Sequence, residues 1–479
     1  MTANPTIRTR MAPSPTGEIH VGSMAILLKN FAFAKKHGGQ FILRIEDTDK
    51  AREVPGAVER MMKTIKAYGL TWDEGPDIGG PFAPYTQSQR LPQYQTFAKQ
   101  LVSQGQAYYC FCTRDRLEKV RAEQMAQKQQ PKYDKHCRNL LKDAVSKRLS
   151  DNEPAVIRLK VPEDEDITFT DLIRGLITVS SNDIDDQVLL KTDGFPTYHL
   201  AVVVDDTAMQ ITHVLRGEEW ISSTPKHVLL YKAFGWKPPV FGHIPIFLNP
   251  NGKGKMSKRK GDVSAQSFLE QGFLPEALLN FFMILGWSHP EQKEVLTLAE
   301  YIAHFDPKDV SGNSVAFDLI KLQWLNGVYI RALSLEKLLE KLMPFIPSDC
   351  SIELATKLVP LIHERLVTLK EFEELTAFFY RDINVDTALL LQKTTLEIVQ
   401  TQLQTTADVL AALQTWDETS LETAIRKLQE TTDWKKGQYF MLLRLVVSGE
   451  TATPPLFTMI EALGKKLTLE RLQTSSKLM

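Results

Sequence analysis

At 479 residues the chain is long enough for several domains, each with its own core. Apolar and charged fractions of 43% and 24% are those of an ordinary water-soluble protein, and a formal net charge of −1 neither points to nucleic acid nor excludes a local basic surface. No apolar run suits a membrane span, Met1–Thr9 is too short and polar for a signal peptide, and three of the four cysteines crowd between 110 and 137, which argues against a disulfide framework; a cytosolic protein is expected.

Thr6–Met11 reads as a short first strand. Pro13, Pro15 and Gly17 then enforce a rigid turn, and Val21, Met24, Leu27, Leu28 and Phe31 follow at helical spacing. His20 and Gly22 therefore fall in the first turn of a helix that directly follows a strand. Backbone N–H groups and the positive end of the helix dipole favour phosphate there. Gly22 has no Cβ, so a flat ligand can lie against the backbone. Phe41–Ile45 is a second strand before the acidic turn Glu46–Asp49, Pro55 opens a helix carrying Val58, Met61, Met62 and Ile65, and Leu91–Gly105 is another helix. This order predicts an α/β, Rossmann-type nucleotide-binding domain.

From Ala107 the texture changes. Cys110-Phe-Cys112 precedes a polar helix over about Thr113–Gln129 and the stretch Tyr133-Asp-Lys-His-Cys137. Strands follow, with Ile157, Leu159 and Val161 on one face, and Ile167 and Phe169 on another. Val188–Lys191 and Pro196–His199 flank Asp193-Gly194 as a hairpin. This α+β region interrupts the α/β domain. Val202–Val204 is expected to resume it as a buried strand ending at Asp205-Asp206, and Ile211–Leu215 runs into Arg216-Gly-Glu-Glu-Trp220. Thr224-Pro225 opens a helix that Gly235 stops. Val240–Phe247 leads into Lys253-Gly-Lys255-Met-Ser-Lys258-Arg-Lys260-Gly261, a glycine-bounded cationic loop. Leu274–Leu285 is an apolar helix opening at Pro275. After Ser334 the pattern is helical: Leu335–Leu342, Ala355–Thr368, Leu389–Leu403, Ala407–Leu413 and Leu421–Gln429.

His20-Val-Gly22-Ser23 resembles the HIGH signature of class I aminoacyl-tRNA synthetases, and Lys255–Arg259 resembles their KMSKS loop. Ala12-Pro-Ser-Pro-Thr-Gly17, Arg44-Ile-Glu-Asp-Thr-Asp49, Thr197-Tyr-His199 and Arg216–Trp220 are similar to the bacterial glutamyl-tRNA synthetases, from Arg10 to about Arg471. The resemblance implies a multidomain chain. Residues 1–106 and 198–245 would be the halves of the catalytic domain, and 107–197 an insertion holding the acceptor end of tRNA. Residues 246–333 would carry the KMSKS loop and a stem-contact domain, and 334–479 an all-helical anticodon-binding region. The implied activity joins L-glutamate to the 3′ end of tRNA(Glu) through a glutamyl-adenylate made from ATP, in a monomer that activates glutamate only with tRNA bound.

Such phosphoryl chemistry asks for positioning and charge neutralisation, not a covalent nucleophile. His20 and the helix N-terminus can donate to phosphate oxygens, and Lys258 with Lys255 can neutralise departing pyrophosphate, with Mg2+ carried on the phosphates. Ala12, Pro13, His20, Gly22, Ser23 and Lys258 are implied at ATP; Ser23 departs from the residue usual in the signature, which predicts adjusted contacts. Glutamate needs cations for its carboxylates and an acid for its ammonium. Arg10 and Arg216 are implied for the former, Glu46 with Ser14 for the latter, and the Tyr198 hydroxyl is a further donor. Where some relatives carry Asn one turn past Tyr198, this chain has Val202. Arg365 is similar to the family's arginine near the last anticodon base, and Trp416 and Trp434 are candidates to stack on bases. Cys110, Cys112 and Cys137 with Tyr133 resemble the zinc site of part of the family, with His136 the alternative fourth ligand and Asn139 where some relatives have His. A glutaminyl-tRNA synthetase and a catalytically dead tRNA-binding paralogue are the rival readings, and whether tRNA(Gln) is also charged stays open.

Overall fold

The computed structural model describes residues 6–252, 254, 256, 263–391, 394–432 and 434–478. The chain divides into two compact units, Met1–Phe268 with Leu278–Leu319 and Leu269–Ala277 with Ile320–Met479.

In the first unit, β1 (Arg8–Met11), α1 (Val21–Lys36) and β2 (Gln40–Leu43) form a right-at-the-start βαβ step, with Arg8 opposite Gln40 in parallel register. α2 (Ala57–Ala67) and α3 (Leu91–Ser103) follow. The region from Ala107 contains β3 (Ala107–Cys110), α4 (Arg114–Ala126), α5 (Lys142–Ser150), β4 (Val156–Leu159), β5 (Asp166–Asp171), β6 (Gly175–Ser180) and β7 (Val188–Leu190). β3, β4 and β7 make an antiparallel sheet. β5 alternates exposed and buried residues, with Ile167 and Phe169 inward as expected.

The chain continues as α6 (Tyr198–Ala208), β8 (His213–Gly217), α7 (Thr224–Phe234) and β9 (Val240–Ile244). β8 and β9 pair in parallel, and β5 joins β9 through Asp171 opposite Phe241, so one mixed sheet runs β6-β5-β9-β8. β1 borders the start of β8, where Thr212 N–H donates to Arg8 C=O at 3.0 Å.

One expectation is corrected here. Val202–Val204 is not a strand; it lies inside α6, which starts at Tyr198 and so also claims the end of the expected Pro196–His199 strand. Leu200 through Asp206 are all buried, and a helix covered on every side loses the amphipathic period that would distinguish it from a core strand.

Among the described residues of Ile320–Met479 every element is helical. Leu335–Leu342 matches its expected bounds. The expected Ala355–Thr368 helix is Ile352–Ile362, after which Thr368 and Glu371 form a capping box that opens a new turn. Leu389–Leu403 is broken by Thr395, whose hydroxyl caps the helix Leu396–Ala411, and Ala407 belongs to that same helix. The helices Lys436–Ser448, Leu456–Leu463 and Lys465–Leu478 complete the unit. No described helix is long and apolar enough to cross a membrane.

Lys29 of α1 is completely buried, with its Nζ donating to Phe282 C=O at 3.1 Å and no carboxylate paired to it among the described residues. Burial lowers its pKa to about 7. From there to its ordinary value of 10.5 the unfolded chain holds a proton that the folded chain lacks, so stability rises with pH by about 1.4 kcal/mol per unit from this group. Lys29→Met is expected to raise the melting temperature at pH 7 and flatten its climb toward alkaline pH, as thermal melts across that range would record.

Candidate active site

The turn between β1 and α1 opens into a cavity of about 730 Å3. Arg10, Ala12, Pro13, Ser14, His20, Ser23, Glu46, Tyr198 and Arg216 all line it. An adjoining cavity of about 350 Å3 is lined by Gly22, Ile244, Phe247 and Met256, and shares His20, Ser23, Gly217 and Glu219 with the first. The amino-acid candidates thus gather in the larger space, Gly22 in the smaller, and His20 stands between them.

His20 is the N-cap of α1, and its Nδ1 accepts from Gly22 N–H at 2.9 Å. Val21 N–H donates to Val263 C=O at 3.1 Å. These two N–H groups are therefore satisfied within the protein, which corrects the expectation that they wait for phosphate. With Nδ1 accepting, the ring hydrogen of His20 sits on Nε2, where it is a donor. A Cβ on Gly22 would stand 3.1 Å from His20 Nδ1, so the glycine also keeps the cap intact.

Of the cationic loop, Lys255 and Lys258 lie outside the described residues, as do Lys253, Arg259 and Lys260. Met256 within it and the chain from Val263 after it are described. Met256 N–H donates to Phe247 C=O at 2.9 Å, and the returning chain pairs with the signature turn through the His20–Ser264 bridge and Ala265 N–H to Ile19 C=O at 2.8 Å. Met256 and Ser264 therefore lie beside His20.

Arg10 and Glu46 belong to a buried network that sequence reasoning missed. Arg10 Nε meets Asp206 Oδ1 at 3.2 Å, and the same oxygen lies 2.8 Å from Nη1 of the wholly buried Arg44. Arg44 Nη2 holds Glu46 Oε1 at 3.2 Å, while Asp205 accepts from Arg90, Gln87 and Tyr94. Only the adjacency of Asp205 and Asp206 hinted at it. Burial opposes the charge of Asp206, but Arg10 and Arg44 outweigh it and lower its pKa. For Glu46 burial wins, and its carboxyl is pushed up to about 6 against the pull of Arg44 and Arg10. An ammonium group requires Glu46 ionised. If Glu46 takes the ammonium of an amino-acid substrate, as the sequence resemblance implies, the KM for that amino acid rises about tenfold per unit as pH falls below about 6, read from steady-state kinetics between pH 5 and 7.5.

Arg216 is the penultimate residue of β8 and is 6% exposed. Its Nη1 donates to Tyr198 Oη at 3.1 Å, which leaves the tyrosine O–H for a ligand. Burial keeps that phenol protonated. The Tyr198 and Trp220 rings lie 4.2 Å apart and floor the cavity beside it. Val202 is in the core and does not reach the cavity.

A second cluster lies at the end of β3 and in the segment after α4. The sulfurs of Cys110, Cys112 and Cys137 are within 4.8 Å of one another. Tyr133 Oη is 3.2 Å from Cys110 Sγ and 3.5 Å from Cys112 Sγ, and accepts from Cys137 N–H at 2.9 Å. His136 is exposed, so the geometry favours Tyr133 over it. In the helical unit, Arg365 Nη1 and Arg444 Nη1 converge on Thr453 C=O at 2.8 and 3.2 Å. Trp416 and Trp434 both pack against the apolar core, which assigns them to folding.

Residues 6–324 match the family of tRNA synthetases class I (E and Q), catalytic domain, and residues 337–475 match the anticodon binding domain. The glutamate–tRNA ligase of Dehalococcoides mccartyi is 45% identical over 476 residues, covering 97% of this chain and 96% of its own. That of Clostridioides difficile is 43% identical, covering 97% and 98%. A crystal structure of a glutamate tRNA ligase from Elizabethkingia meningosepticum in complex with its amino acid is similar with a TM-score of 0.88 at 36% identity, over 98% of this chain and 99% of that one. With a signature turn, a cationic loop anchored beside it and a helical unit of the matching kind, the chain belongs to the class I tRNA synthetases for glutamate and glutamine, in the branch of the glutamate–tRNA ligases.

Proposed function

We propose that the chain is a glutamate–tRNA ligase working in two steps. The α-carboxylate of glutamate attacks the α-phosphorus of ATP and expels pyrophosphate; a ribose hydroxyl of the terminal adenosine of tRNA(Glu) then attacks the acyl carbon and releases AMP. The observation that carries the reading is Arg216, a buried guanidinium with no carboxylate partner among the described residues, at the wall of a cavity shared with His20. A site with an uncompensated buried cation is suited to an anionic side chain. Arg10 and Arg216 take the carboxylates, Glu46 and Ser14 the ammonium, and Tyr198 donates its hydroxyl. Ala12, Pro13, Gly22, Ser23 and His20 hold ATP, whose phosphates bring Mg2+, and Lys255 and Lys258 close on the leaving pyrophosphate.

Residues 107–197 receive the acceptor end, 246–333 the stem, and 334–479 the anticodon, with Arg365 at its last base. The protein acts in the cytoplasm as a monomer. The cysteine cluster fits a structural zinc ion held by Cys110, Cys112, Cys137 and Tyr133, the three sulfurs lying within 4.8 Å of one another and the phenol oxygen 3.2 and 3.5 Å from two of them. Elemental analysis of chelator-washed protein is expected to find one zinc per chain, and none would end that assignment.

ATP–pyrophosphate exchange with glutamate, with and without tRNA, tests the function. Exchange that depends on both supports the ligase; none under any condition supports a tRNA-binding module instead. Charging purified tRNA(Glu) and tRNA(Gln) decides how many tRNAs are substrates.

A further inference from the structure

The neighbours of Arg216 are all neutral hydrogen-bond acceptors. Nε donates to His243 Nε2 at 3.1 Å, Nη1 to Tyr198 Oη and to His227 Nδ1 at 3.1 and 3.2 Å, and Nη2 to Thr224 Oγ1 at 2.8 Å. A guanidinium has no lone pair to offer, so each of these contacts dictates the partner's tautomer. His227 must carry its hydrogen on Nε2, from which it donates to His199 Nδ1 at 3.1 Å. His243 must carry its hydrogen on Nδ1, where Asp171 Oδ2 accepts it at 2.6 Å. Burial lowers the pKa of both imidazoles that touch Arg216, which keeps them neutral.

Asp171 is the last residue of β5. Its other oxygen, Oδ1, accepts backbone N–H groups from Ile173, Arg174 and His243 at 3.0, 3.0 and 3.3 Å. The negative charge on this side of Arg216 is therefore one imidazole away, spread over four donors.

We propose that Asp171 and His243 are positioning residues that select a carboxylate over a carboxamide, glutamate over glutamine, by acting through Arg216. Asp171 fixes the His243 tautomer that accepts from Arg216 Nε, and this aims the one guanidinium N–H, on Nη2, that the four contacts leave. Holding the carboxylate at one remove also leaves Arg216 uncompensated. An acid in direct contact would neutralise the site, and a neutral amide would then fit as well as an anion; the spacing works against that competitor. The inference rests on the glutamate-activating reading above.

Asp171→Asn is the diagnostic variant. The Oδ1 position faces three N–H donors, so the variant's amide oxygen must stay there and its NH2 must face His243 Nδ1. Nδ1 becomes an acceptor, the ring hydrogen moves to Nε2, and that N–H opposes Arg216 Nε–H, turning instead toward Thr224 Oγ1 at 3.0 Å and away from the guanidinium. In exchange assays on the full chain with tRNA, glutamate KM is expected to rise about tenfold or more, with ATP KM within about twofold. The ratio of glutamine to glutamate activation is expected to rise by a similar factor. His243→Gln, whose amide oxygen reaches the Nε2 position, should keep most of the discrimination, whereas His243→Leu should lose it. Should Asp171→Asn fail to fold, the two His243 variants carry the test, with melting temperatures as the control. Unchanged glutamate KM and discrimination in Asp171→Asn and His243→Leu would overturn the proposal, as would an equal loss toward glutamate and ATP. A wild-type chain that never activates glutamate overturns the functional reading first, and the wild-type control reports that separately.

Discussion

Arg216→Met is expected to raise glutamate KM by about two orders of magnitude or more, with ATP KM nearly unchanged. The substituted group is a desolvated cation whose anionic partner arrives with the substrate, and removing one member of such a charge pair costs about 3–5 kcal/mol. Steady-state exchange kinetics at varied glutamate and varied ATP separate the two effects. The same variant is expected to melt no lower than wild type. In the free protein Arg216 is a buried charge among neutral acceptors, so an apolar chain of similar length relieves desolvation, at the expense of acceptors that Tyr198, Thr224 and the two histidines then leave unused. Arg216→Lys should recover little, because an ammonium cannot reproduce the planar fork. Equal weakening toward glutamate and ATP would remove Arg216 from the amino-acid pocket.

His20→Asn and His20→Ala together divide the two jobs of one ring. Asparagine is a strong N-cap and keeps an acceptor for Gly22 N–H, but it has nothing at the Nε2 position. Alanine loses both. The asparagine variant is therefore expected to melt like wild type yet activate glutamate about 10²–10³ times more slowly, the cost of one lost donor to a transition-state oxyanion. The alanine variant should be equally slow and also less stable by about 1 kcal/mol. Both numbers come from comparing kcat of exchange with thermal or denaturant melts. A fast His20→Asn enzyme would reduce His20 to a helix cap and remove it from the phosphate site.

Much of this molecule was legible because its signals are local. Pro13, Pro15 and Gly17 turn the chain, Val21 through Phe31 repeat at helical spacing, and α1 starts at the residue so indicated. The alternation of β5 and the clustering of cysteines near 110 and 137 are also short-range patterns, and the fold follows them. Val202–Val204 failed because periodicity reports contrast between faces, and α6 has none: its neighbours cover it all round. The helix Lys436–Ser448 shows weak periodicity for a related reason, since it buries Tyr439, Leu442, Leu443 and Leu445 through Ser448 on more than one side.

By itself, then, the sequence determined which residue types stand at the signature turn, in the cationic loop and around the acidic pairs, and through spacing it placed most of them on the right elements. Only the tertiary structure decided which charges are compensated. Arg10 and Arg216 look alike as letters, yet Arg10 shares Asp206 with Arg44, while Arg216 meets neutral acceptors. It also decided that His20 spends one nitrogen on its own helix, and that Asp171, from β5, sets the tautomer of His243. The physical reason is the same in each case. A side chain's chemistry depends on desolvation and on partners distant in sequence, and neither is written in the spacing of its neighbours.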